Sequence, residues 1–125
     1  MPTIAIIGDI HDWHSEQLET SFKKKGYAVL KIKFNQLRAD FNNRAKNFLN
    51  PEFKKIRGIW LRFINNGPLE EITTKLTFLH LLEETCIYIH NSPKVIETTV
   101  DKVRTTGLLT INKINSPQTI VEIGK

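Results

Sequence analysis

The chain has 125 residues, 40% hydrophobic and 25% charged, with one cysteine and a formal net charge of +5 at pH 7. That length fits one globular domain burying about two thirds of its unfolded surface; no stretch approaches the ~20 apolar residues of a membrane span and the N-terminus lacks the apolar run of a signal peptide, so a cytoplasmic protein with no membrane partner is expected. The lone Cys86 excludes an internal disulfide and a multi-cysteine metal site, and the positive residues, spread from Lys23 to Arg57 with few aromatics among them, do not form the pattern of a nucleic-acid surface.

Thr3 to Ile7 (TIAII) is a continuous apolar run ending at Gly8, the pattern of a strand covered on both faces in a parallel sheet. After the loop Gly8 to Asp12, Asp12 is a good cap for a helix over Trp13 to Lys25. Glu16 and Glu19 come early in it and Lys23, Lys24 and Lys25 late, as the helix dipole prefers. Leu18 and Phe22, one turn apart, should face the sheet, and Gly26 should end the helix in the left-handed conformation. Tyr27 to Phe34 alternates toward its end, Leu30, Ile32 and Phe34 against Lys31 and Lys33, which suits a strand near the sheet edge. The asparagine-rich stretch Asn35 to Lys55 is anchored by Phe41, Phe48, Leu49 and Phe53 and broken by Pro51. It predicts irregular chain with short helical or strand pieces.

Gly58 to Ile64 (GIWLRFI) is the third strand, with Arg62 near its carboxyl end, where it can clamp an anion or pair with Glu70 or Glu71. Asn65-Asn66-Gly67-Pro68 is a loop by composition. Leu69, Ile72, Leu76 and Leu79 recur at helical spacing through Glu84, with Glu70 and Glu71 in the first turn. Cys86 to Ile89 follows as a fourth strand, in which the cysteine is expected to be buried. The alternation predicts right-handed crossovers and an α/β fold: a Rossmann-like open parallel sheet of about four strands with helices on both faces. Ligands of such sheets sit beyond the carboxyl ends of the strands, at the switch in strand order. The Gly8 to His14 loop, Arg62 and Asn91-Ser92 fall there.

Asn91-Ser92-Pro93 then breaks the apolar run; Asn91 or Ser92 can cap a helical turn over Pro93 to Glu97. Asp101 can complement the positive end of a further helix over Lys102 to Leu109, Leu108-Leu109 should bury, and Pro117 forces an extended exit into QTIVEI. Asn91-Ser92-Pro93, Ile96, Asp101-Lys102, Thr105, Leu108-Leu109, Pro117 and Thr119 together resemble the junction between the N-terminal domain and the nucleotide-binding region of ATP-grasp ligases. The closest likeness is to the glutamate ligase type that modifies ribosomal or carrier proteins. Lys113 stands where those ligases place the glycine that ends the helix, and Asn115 where a proline is usual.

The resemblance implies that residues 1–110 form a pre-ATP-grasp domain and residues 111–125 a junction leading into an absent ATP-grasp domain. In the parent enzyme, ATP and Mg would convert a carboxylate to an acyl phosphate that an amine attacks, with an amino acid or peptide as substrate. Gly8, Asp9, His11, Arg62, Asn91 and Ser92 would then line the substrate cleft, and the ammonium of Lys102 would approach the nucleotide phosphates. Neither catalysis nor tight ATP or Mg binding is expected of this chain alone.

Two rival readings use other features. A stand-alone Rossmann-like module, binding a partner or forming a homodimer, would use an open sheet edge or the QTIVEI segment. The loop GDIHDWH also resembles the opening motif of metallophosphoesterases, in which Asp9 and His11 would hold one metal of a pair. That chemistry needs several more ligands. The chain adds only His80 and His90, and Asp12 replaces the glycine expected after the histidine. The plainer reading of the loop is a tight turn at Gly8, Asp9 and Asp12 capping backbone amides, and solvated His11 and His14.

Overall fold

The structure, a computed structural model, describes residues 1–8, 11–42 and 48–124. Four strands, β1 (Thr3–Ile7), β2 (Ala28–Ile32), β3 (Ile56–Leu61) and β4 (Tyr88–His90), form one all-parallel sheet in the order β2-β1-β3-β4. The expected α/β architecture is therefore present, with the lysine-bearing β2 at an edge.

Parallel register places residues on common faces. Ala5 pairs with Leu30 and Ile59, Ile7 with Ile32 and Leu61, and Ile59 with Ile89. This face packs with Leu79 and Leu82 of α2 (Leu69–Glu84) and Ile96 of α3 (Pro93–Val100) to make the main core. Ile6 and Trp60 share the opposite face, where Phe22 of α1 (Trp13–Lys24) meets the Trp60 ring edge-on at 5.8 Å. α1 connects β1 leftward on one face and α2 connects β3 rightward on the other, so both crossovers have the same hand. Each fully buried leucine or isoleucine contributes about 1.5–3 kcal/mol of apolar transfer.

Among its described residues the connection from β2 to β3 holds no α-helix. Two 3-10 turns, Phe34–Gln36 and Pro51–Lys55, and one antiparallel bridge, Ala39 to Leu49, carry it. Phe53 and Leu49 are buried anchors as expected, whereas Phe41 is 70% exposed. α4 (Lys102–Ile111) follows α3, capped by Asp101, whose Oδ1 accepts from Arg104 N at 3.0 Å.

Four expectations are corrected. Cys86 is exposed, not buried. α2 ends at Thr85, and Cys86 takes the left-handed position that follows a helix cap, with φ 65° and its N–H donating to Glu83 O. The strand therefore starts two residues later than expected. Trp13, a large apolar side chain expected in the core or on the cleft wall, is 65% exposed, because it opens α1 on the solvent side. Leu69 is 78% exposed, at the first residue of α2. Leu108 is 42% exposed because α4 packs chiefly on α3 rather than on the sheet.

Candidate functional site

The switch point lies between the carboxyl ends of β1 and β3, and backbone bonds hold the end of β1 to β2 on one side and to β3 on the other. Gly8 N–H donates to Ile32 O, and Arg62 N–H donates to Ile7 O. Gly8 has φ 140°, and a Cβ there would stand 2.9 Å from Arg62 Cβ. Glycine is thus required both by conformation and by the close approach of β3.

Arg62 does not reach Glu70 or Glu71. Its Nη2 donates to Asp12 Oδ2 at 2.8 Å, across the switch point, and its guanidinium lies 5.4 Å from the Phe63 ring centre. The other Asp12 oxygen accepts from Ser15 N at 2.7 Å, the cap that starts α1. The Ser15 backbone N–H, the Ser15 hydroxyl and then Arg62 hold the Asp12 carboxyl well below the usual carboxylate range. His14 Nδ1 stands 3.8 Å from the same carboxylate. Arg62 Nε is buried without a hydrogen-bond partner among the described residues.

Beside this pair, on the α2 face, lies a cavity of about 540 Å³. Gly8 and His11 line its β1 end; Lys33, Phe34, Asn35 and Leu37 line its β2 end; Asn65, Glu71, Thr74, Lys75 and Phe78 close it from the loop after β3 and from α2. Its most organised group is Lys75. That side chain is only 16% exposed, its Nζ is 2.8 Å from Glu71 Oε1, and it sits 5.5 Å from the Phe34 ring centre. An ammonium fixed by an ion pair and an aromatic face is a ready partner for an anion.

The expected cleft residues are divided. Gly8 and His11 line the cavity. Arg62 is adjacent through Gly8 but committed to Asp12. Asn91 and Ser92 stand at the carboxyl end of β4; Ser92 Oγ accepts from Val95 N at 3.3 Å and caps α3. Asp9 lies outside the described residues. Lys102 is exposed at the start of α4, where its Nζ donates to Thr99 O at 2.9 Å. For ATP and Mg the described residues do not fit by themselves: Lys102 is the one phosphate partner that the resemblance implies, and it does not line the cavity. Among the described residues no group of three or more His, Cys, Asp or Glu could hold a metal ion.

Lys33, Asn35, Asn65, Glu71 and Lys75 were not legible as site residues. Glu71 and Lys75, four apart on a helix, have the signature of a solvated ion pair, and only the fold of the β2–β3 connection brings Phe34 over them. The sequence matches no protein-family model, and no curated protein matches it.

Proposed function

We propose that this chain is the N-terminal, substrate-cleft domain of an ATP-dependent carboxylate–amine ligase of the ATP-grasp kind. The observation that carries the reading is the gathering of Gly8, His11 and the Glu71–Lys75 pair around one cavity beyond the carboxyl ends of the strands, where open α/β sheets bind their ligands. A second observation supports it. α4 ends with Lys113 N–H donating to Thr110 O and Ile114 N–H to Leu109 O, and Lys113 has φ 57°. This is the left-handed helix end that a glycine suits, at the position where the resembling ligases carry one. In this reading the domain binds and orients the carboxylate substrate and excludes water from one side of it; ATP and Mg, held elsewhere in the enzyme, activate it.

The test is the reading frame beyond codon 125. An in-frame continuation encoding a lysine-bearing strand, a glycine loop and acidic and asparagine ligands for magnesium supports the reading, provided the joined protein releases ADP when given ATP, a carboxylate and an amine. A stop codon there overturns it.

A stand-alone dimerising module is the second reading, favoured by one specific feature. Val103 and Ile111, two turns apart on α4, are exposed, and Ile114, Ile120, Val121 and Ile123 continue the apolar exposure beyond the helix. A dimer in light scattering that is lost on deleting residues 116–125 supports this reading, and a monomer at high concentration rejects it.

A further inference from the structure

We propose that the cavity at the carboxyl ends of β1 and β2 binds a small monocarboxylate with an aromatic or alkyl body, its carboxylate taken by Lys33 and Lys75. The inference deepens the cleft-wall reading and rests on it for the place of the site. It narrows the amino acid or peptide substrate that the resemblance implies to one class of ligand.

Charge decides the ligand's valence. Glu71 offsets Lys75 at 2.8 Å, whereas Lys33 forms no ion pair among the described residues. Among the described residues, the lysine and carboxylate groups of the wall therefore leave one positive charge to be matched by one negative charge. A second carboxylate in the same cavity would stand in the field of Glu71 and lose what Lys33 supplies.

Geometry supplies the anion contact. An ammonium has three N–H donors, and Glu71 Oε1 accounts for one on Lys75. With its stem packed and its Nζ over the Phe34 ring, Lys75 has little side-chain freedom left to lose on binding. The amides of Asn35 and Asn65 add donors from the two facing loops.

The remaining wall sets the body of the ligand. Phe34, Leu37 and Phe78 are apolar surfaces on the same cavity. Its volume of about 540 Å³ falls within the range of small-molecule sites. An aromatic or alkyl group stacked there leaves the carboxylate toward the lysines.

The probe is 3-phenylpropionate, titrated into the 125-residue protein by calorimetry and by backbone amide chemical shifts, with glutarate and 2-phenylethylamine as comparisons. The expected result is saturable binding of 3-phenylpropionate, with shifts concentrated at Gly8, Phe34, Asn65 and Lys75. Glutarate should bind at least about tenfold more weakly and the amine not at all; Lys33→Ala and Lys75→Met should each weaken 3-phenylpropionate by about tenfold, the scale of a charged hydrogen bond. Lys33 is exposed, so its substitution spares the fold even if Lys75→Met does not. No saturation below about 10 mM, affinity unchanged by Lys33→Ala, or equal affinity for glutarate would overturn the proposal. Each of these leaves the reading-frame test of the ligase reading untouched.

Discussion

Asp12 and Arg62, fifty residues apart in sequence, meet at 2.8 Å across the switch point of the sheet. One carboxylate thereby starts α1 through Ser15 and ties that start to the end of β3. Because these bonds hold its carboxyl below the ordinary value, folding favours the ionised form. The stabilisation is complete above the unfolded value of about 3.9 and is lost as pH falls toward the lower folded value. Asp12→Asn keeps an acceptor for Ser15 but removes the charge. Urea midpoints from pH 2.5 to 7 should show wild type ahead of Asp12→Asn near neutrality, with the gap closing below about pH 4. A gap that stays constant across the range would reject the ionised pair as its source.

Gly8 yields a prediction with an internal control. Gly8→Ala places a Cβ 2.9 Å from Arg62 Cβ at φ 140°, so conformation and contact both oppose it. Gly26 has φ 84° with nothing within 4 Å of an added Cβ, so Gly26→Ala tests conformation alone. Gly8→Ala should cost about 2 kcal/mol or more and Gly26→Ala about 1 kcal/mol. Equal losses in chemical denaturation would mean that Arg62 simply moves aside.

The sheet and the helix caps were legible because their signals are local. TIAII before Gly8, Asp12 before α1 and Ser92 and Asp101 before the last two helices each carry their own reason, and each takes the expected place. The cavity lies where strand ends alone would place one. Its chemistry did not, because Lys75 becomes a cavity group only when the loop bearing Phe34 folds over α2, and no periodicity in residues 33–37 announces that contact. Arg62 was legible as important but not in its partner; Glu70 and Glu71 are nearer in sequence, while the register of β1 and β3 delivers Asp12. Cys86 was misread for a third reason: the general burial of free cysteine competed with the left-handed turn that ends α2, and the turn prevailed.

Leu82 and Leu69 separate the role of α2 in the core from the helical pattern that announces it. Both are leucines of one helix, yet Leu82 is fully buried and Leu69 is 78% exposed. Leu82→Ala should cost about 2–5 kcal/mol by removing core contacts and leaving a cavity. Leu69→Ala should stay within about 0.5 kcal/mol. Comparable losses would mean that the start of α2 packs on something in solution.

Two substitutions in and after α4 should raise stability, and together they test what that helix does. Gly107 lies inside α4 with no heavy atom within 4 Å of an added Cβ, so Gly107→Ala should add roughly 0.5–1 kcal/mol through helix propensity. Lys113 occupies the same hydrogen-bonded helix end that Gly26 occupies after α1, where Gly26 N–H donates to Lys23 O and Tyr27 N–H to Phe22 O. Lys113→Gly should add about 1 kcal/mol by relieving a left-handed residue that carries a side chain. Urea denaturation of the two single variants measures both. If Gly107→Ala instead lowers stability and lowers the mass seen by light scattering, the exposed Val103, Ile111 and Ile114 are covered by a second copy in solution, because an added methyl in open space has no other way to destabilise. Unchanged mass with the expected gain leaves those residues free.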